Sequence, residues 1–182
     1  MLKRISTLDA VIIVLMAACG LAVKPVINPL FKLITSAFLI SSGSVSGVIY
    51  MIFPMLALLI VRQPGSATMT GLIQGIIVLL TGIYGSHGII SILTYIAPGI
   101  LIDFGFYLVG QKKWLIFFPT ALGNLGGNFL VGTLFLRLPT FPLILTCVTA
   151  FILGSMSGFL SWNLYHWLVK HAPVLKKDEP FN

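Results

Sequence analysis

Long apolar runs separated by short polar connections fill this sequence almost from end to end. A helix needs about 20 predominantly apolar residues to cross a hydrocarbon core of ~30 Å. Runs at 8–24, 46–61, 67–84, 88–109, 114–136 and 141–169 approach or exceed that length, and they predict six transmembrane helices followed by a tail at 170–182. One more apolar stretch, 30–40, is too short to span and contains Lys32, Thr35 and Ser36. It reads as a short helix or re-entrant lid between the first two helices; in the rival topology it is a seventh crossing. The expected fold is an all-α integral membrane bundle, a single membrane domain over residues 1–182.

Composition removes the soluble alternatives. Of the residues, 58% are hydrophobic and 8% charged, with a mean hydropathy of +1.07 spread along the whole chain, whereas an average soluble domain is roughly a quarter charged. The net charge of +7 would point to nucleic acid in a soluble protein, but the eleven Lys and Arg residues lie in the connections and at helix ends, so no nucleic-acid partner is expected. With six crossings, Lys3, Arg4, Arg62, Lys112, Lys113, Lys170, Lys176 and Lys177 share one side, against Lys24, Lys32 and Arg137 on the other. The positive-inside rule makes the richer side cytoplasmic, with both termini there, in a multi-pass protein of the plasma membrane. Trp114, Trp162 and Trp167 fall near the predicted cytoplasmic ends, where interfacial indoles anchor. Met16-Ala17-Ala18-Cys19 superficially resembles a lipoprotein cleavage site, but Met16 suits its position badly and the first helix is expected to remain.

Small residues four apart recur at Ala18 and Ala22, Gly71 and Gly75, Gly123 and Gly127, and Gly154 and Gly158. Such pairs let helix backbones approach and pack. The pair on the outermost first helix can instead face another membrane protein. Polar groups at membrane depth need a reason. Asp103 is the one acid well inside a predicted helix, and it reads as a structural carboxylate or a functional one. Gln74 and the i,i+4 pair Asn124 and Asn128 either join helices or hydrogen-bond a ligand. Towards the outer side lie Tyr50, Phe53, Tyr84, His87 and Tyr95, aromatic faces with polar tips that suit a planar heterocycle, or an interfacial aromatic belt. No Walker A motif, HExxH pair or GxSxG elbow is present, and neither cofactor nor metal is expected.

Several short motifs carry a family resemblance: Arg62-Gln63-Pro64-Gly65-Ser66-Ala67 after the second helix, Gly82, Gly85 and Gly88 in an outer turn, and Pro98-Gly99 followed by Asp103 on the fourth helix. Together they resemble the substrate-binding S-components of energy-coupling factor (ECF) vitamin transporters, and most of all the hydroxymethylpyrimidine/thiamin branch. The resemblance implies a six-helix subunit that takes a vitamin or precursor from outside through a pocket closed by the connection between the first two helices. It also implies docking, through Ala18 and Ala22, on a transmembrane coupling protein driven by two cytoplasmic ATPases. Where that branch leads one to expect a Glu on the third helix, this chain has Gly71, with Gln74 one turn on; where another Glu is expected on the fourth helix, it has Asp103. The competing readings are a membrane-embedded enzyme using Asp103 and a ligand-free structural subunit.

Overall fold

The computed structural model of this chain describes residues 5–35, 40–82, 90–110 and 112–175. Among these residues the regular structure is helical: α1 (Thr7–Thr35), α2 (Ser42–Tyr50), α3 (Ile52–Val61), α4 (Ser66–Thr81), α5 (Ile90–Val109), α6 (Phe117–Leu134) and α7 (Thr140–His171). The second helix, predicted over 46–61, begins earlier, at Ser42, and Met51 divides it into α2 and α3. Pro54 accounts for the division, because it has no N–H to offer the Tyr50 carbonyl and its ring crowds that oxygen. Counting α2 and α3 as one interrupted path, the helices follow six paths.

The short helix or lid expected at 30–40 is not a separate element over its described part. Residues 30–35 are the last turns of α1, which continues through Pro25 and Pro29; residues 36–39 lie outside the described residues. Each proline removes one backbone bond, yet unwinding an apolar helix would strand many more N–H and C=O groups, so the helix carries on. Four paths, Thr7–Leu33, Ser42–Val61, Ile90–Val109 and Thr140–His171, are long and apolar enough to cross a membrane. α4 is apolar but has 16 residues, a length of about 24 Å at the helical rise.

Burial runs opposite to that of a soluble protein. Asn124, Thr120, Thr146 and Ser161 are wholly enclosed, while Val14, Leu80, Phe104, Phe141 and Ile152 stand exposed on the perimeter. Such a surface is stable against lipid tails, and helix association then rests on close packing. The glycine pairs supply it. A Cβ on Gly75 would lie 3.0 Å from the Cα of Ile92 on α5, one on Gly127 would lie 2.7 Å from the Pro98 ring, and one on Gly154 would lie 2.7 Å from the Thr120 carbonyl on α6. Hence α4 packs on α5, α5 on α6, and α6 on α7. Buried from Pro54 to Val61, α3 is the central post, touching α1, α4 and α7.

The two ends of the bundle differ. At one end Ile12, Ile13, Met55, Leu58 and Tyr165 form a continuous core, with Leu168 and Val169 of α7 against it, so the start of α1 and the end of α7 meet there. Ser6 and Asp9 cap α1 reciprocally, at 3.1 and 3.2 Å, and Gln63 donates to Asp9 at 3.2 Å. Arg62 closes α3 in the left-handed conformation (φ 54°) and donates to the Tyr165 hydroxyl at 3.0 Å. The other end is hollow.

Candidate binding cavity

Three helical paths carry a proline around the hollow end: α1 at Pro25 and α5 at Pro98, both of which run on through it, and the α2–α3 path at Pro54, which is broken just ahead of it at Met51. Between them, with α4 and α6 completing the wall, lies a cavity of about 330 Å³. That places it at the small end of ligand pockets, which span about 300–1,000 Å³.

Of the residues singled out from sequence, Tyr50, Gln74, Tyr95, Asn124 and Asn128 line this cavity. The two asparagines are largely engaged with the protein. Asn124 donates to the carbonyls of Ser44 (3.0 Å) and Ala150 (2.8 Å), tying α6 to α2 and α7. Asn128 donates to the Asn124 side-chain oxygen at 2.9 Å and accepts from the Ser41 hydroxyl at 3.3 Å. Gln74 donates to the Ala17 carbonyl at 3.3 Å, which leaves its amide oxygen for the cavity. Phe53 is not among the lining residues and lies instead against α1 at Gly20. Tyr84 and His87 fall outside the described residues.

Asp103 is also absent from the lining. Its carboxylate accepts from the backbone N–H of Thr68 (2.8 Å), the Thr68 hydroxyl (2.6 Å) and the N–H of Ala67 (3.3 Å). Those donors form the first turn of α4, whose N-terminal partial positive charge favours an acid there. Ser66 turns its hydroxyl to the Gln63 carbonyl at 2.7 Å, and Gly65 (φ 90°) occupies the capping position. The cap of α4 therefore comes from α5. Gly71, at the position where a Glu was expected, packs so tightly on the Tyr95 carbonyl that no side chain fits there.

Lys24, Asn28, Ser46 and Thr94 line the cavity and were not foreseen. Lys24 is 9% exposed, and its ammonium stands over two ring faces, 3.8 Å from the centroid of Tyr95 and 5.1 Å from that of Tyr50. Tyr50 is held in place by donating to Asn28 at 2.6 Å. Lys24 and Asn28, four apart, share one face of α1 only because that helix continues past Pro25. The sequence signal was there, in a lysine and an amide at helical spacing beside a tyrosine-bearing helix.

No curated protein sequence matches this chain significantly. A crystal structure titled as an S-component of an ECF transporter superposes on it with a TM-score of 0.76, at 16% identity, over 93% of this chain and 88% of that one. At that identity the likeness shows the fold. The model of a family described as the permease component of an ABC-type cobalt transport system matches residues 8–130, about two thirds of the sequence. The family match places the chain among membrane components of transport systems, not among enzymes. The chain belongs to the family of ABC-type cobalt transport system permease components, and it has the fold of an ECF transporter S-component.

Proposed function

We propose that this chain is the substrate-binding membrane subunit of an ECF-type importer, capturing a small vitamin-like molecule from outside and handing it inward after docking on a coupling protein. The observation that carries the reading is the partly open cavity, apolar with several polar groups in its wall, at the end of the bundle opposite the start of α1 and the end of α7. The distribution of Lys and Arg supports an outward-facing cavity and cytoplasmic termini. A cobalt ion suits this chamber poorly as cargo. Described lining donors are amides, hydroxyls and one ammonium, and the described residues contain no cluster of three or more His, Cys, Asp or Glu. Borderline transition metals favour imidazole and thiolate ligands. Within the vitamin class, the hydroxymethylpyrimidine/thiamin expectation divides on charge: cationic thiamin would meet Lys24, whereas uncharged hydroxymethylpyrimidine would not be repelled.

Docking through α1 is supported by its outer face. Ala10, Val14, Ala18 and Ala22 are all exposed at a spacing of four, and the first three border a shallow apolar groove with Thr7, Val11 and Leu15. Small residues there allow close approach of a second membrane protein, and ATP hydrolysis belongs to two cytoplasmic partner subunits. The test is co-expression with a coupling protein and its ATPases from the same genome. Wild type is expected to co-purify with them, while the double variant Ala18→Trp/Ala22→Trp loses the partner and keeps its own melting temperature. Equal recovery of the partner by both proteins would refute the docking face.

A further inference from the structure

Lys24 poses a problem of charge. It is more than nine-tenths buried, makes no ion pair with any described residue, and sets its ammonium over the faces of Tyr50 and Tyr95. No acid among the described residues supplies a counter-ion. The sequence has four acids. Asp9 and Asp103 are engaged elsewhere, with Ser6 and Gln63 and with the start of α4. Asp178 and Glu179 lie outside the described residues, and the undescribed internal positions 36–39, 83–89 and 111 contain no acid. A buried charge without a partner is costly, and ionisable groups kept at membrane depth mark substrate paths.

Two further observations give the missing partner a character. Lys24, Lys32 and Arg137 are the cations on the cavity side, where the positive-inside rule disfavours them, and Lys32 and Arg137 are exposed. Three positive charges with no acid among them draw anions towards the opening. Inside, the hydroxyl of Ser46 already donates to Gly43, that of Thr94 to Ser91, and that of Ser41 to Asn128. These groups therefore offer a ligand acceptor lone pairs, as does the Gln74 oxygen, while Lys24 offers three N–H donors.

We propose that the cavity selects a small organic carboxylate, its charged end held by Lys24 against the Tyr50 and Tyr95 rings and its other end carrying N–H or O–H groups. A single ammonium balances a monoanion, which favours a carboxylate over a phosphate ester. The inference rests on the substrate-binding reading above and narrows it, replacing the uncharged pyrimidine with an acid.

The test pairs acids with their uncharged analogues: nicotinate with nicotinamide, biotin with biotin amide, pantothenate with pantothenol, and lipoate with lipoamide, with thiamin as the cationic control. Thermal shift and then titration calorimetry are run on the detergent-solubilised full chain. At least one acid is expected to stabilise it while its analogue and thiamin do not. That acid should bind Lys24→Met about 30-fold or more weakly, the factor carried by a charge-assisted hydrogen bond. Stabilisation by an uncharged analogue as strong as by its acid, stabilisation by thiamin, absence of any acid ligand, or an unchanged affinity in Lys24→Met would each overturn the proposal. Wild-type discrimination between acid and analogue decides the matter even if Lys24→Met folds poorly. Co-purification with the coupling protein does not depend on ligand charge, so a failure here is separable from a failure of the subunit reading.

Discussion

Asp103 is the residue on which a structural and a chemical role differ most, and removing its carboxylate separates them. The side chain accepts three hydrogen bonds, at 2.6, 2.8 and 3.3 Å, from the first turn of α4. Asp103→Leu removes every acceptor and leaves two backbone N–H groups and a hydroxyl unmatched at a helix end. A lost cap costs about 1 kcal/mol and a hydrogen bond to a charged group about 1.5–3 kcal/mol. These overlap, because they describe the same contacts, so the expected loss is about 2–4 kcal/mol. At about 2–4 °C per kcal/mol for a chain of this size, the melting temperature should fall by about 4–16 °C. Asp103→Asn keeps one oxygen and should lose about 1 kcal/mol. Neither variant removes a cavity-lining side chain, so ligand affinity in the folded fraction should stay near wild type. Melting curves and calorimetry on the same preparations check both halves. An Asp103→Asn protein with unchanged melting temperature and abolished ligand binding would show that the carboxylate serves substrate, not α4.

Two other substitutions probe the cavity wall. Lys24→Met removes a buried cation with no acid partner among the described residues and should stabilise the ligand-free protein by on the order of 1–3 kcal/mol, as apolar replacements of buried charges do, seen as a higher melting temperature; a lower melting temperature would mean that the ring contacts outweigh the burial cost. Gly47→Val would drive its side chain into the Asn124 amide, which bridges α2, α6 and α7. The overpacking should cost about 2–3 kcal/mol and appear as a broadened size-exclusion profile and a lower melting temperature, whereas wild-type behaviour would place Asn124 elsewhere.

Helix positions were legible because an apolar run of membrane length has few alternatives, and α5 and α7 fall within two residues of the predicted ends. The lid was misread because 30–40, too short to span and carrying Lys32, Thr35 and Ser36, was judged apart from the run before it, whereas residues 30–35 continue α1 through Pro25 and Pro29, where no water is at hand to satisfy an unwound backbone. That error also hid Lys24, which looked like an interfacial charge at a helix end and is in fact a buried cation in mid-helix. Asn124 and Asn128 were legible as one face, but whether their amides join helices depends on Ser44 and Ala150, distant in sequence. For Asp103, helical spacing alone gives no register between α4 and α5, and the register sets it at the Pro64-Gly65 turn, with the cavity further up α5.

The central claim, that the Lys24 cavity holds an imported organic molecule, is tested most directly by native mass spectrometry of protein released from detergent after growth in rich medium. Wild type is expected to carry one small molecule, and both Lys24→Met and the cavity-filling Thr94→Trp to fly as bare protein. A wild type that is bare, or variants that retain the same bound mass, would contradict the account.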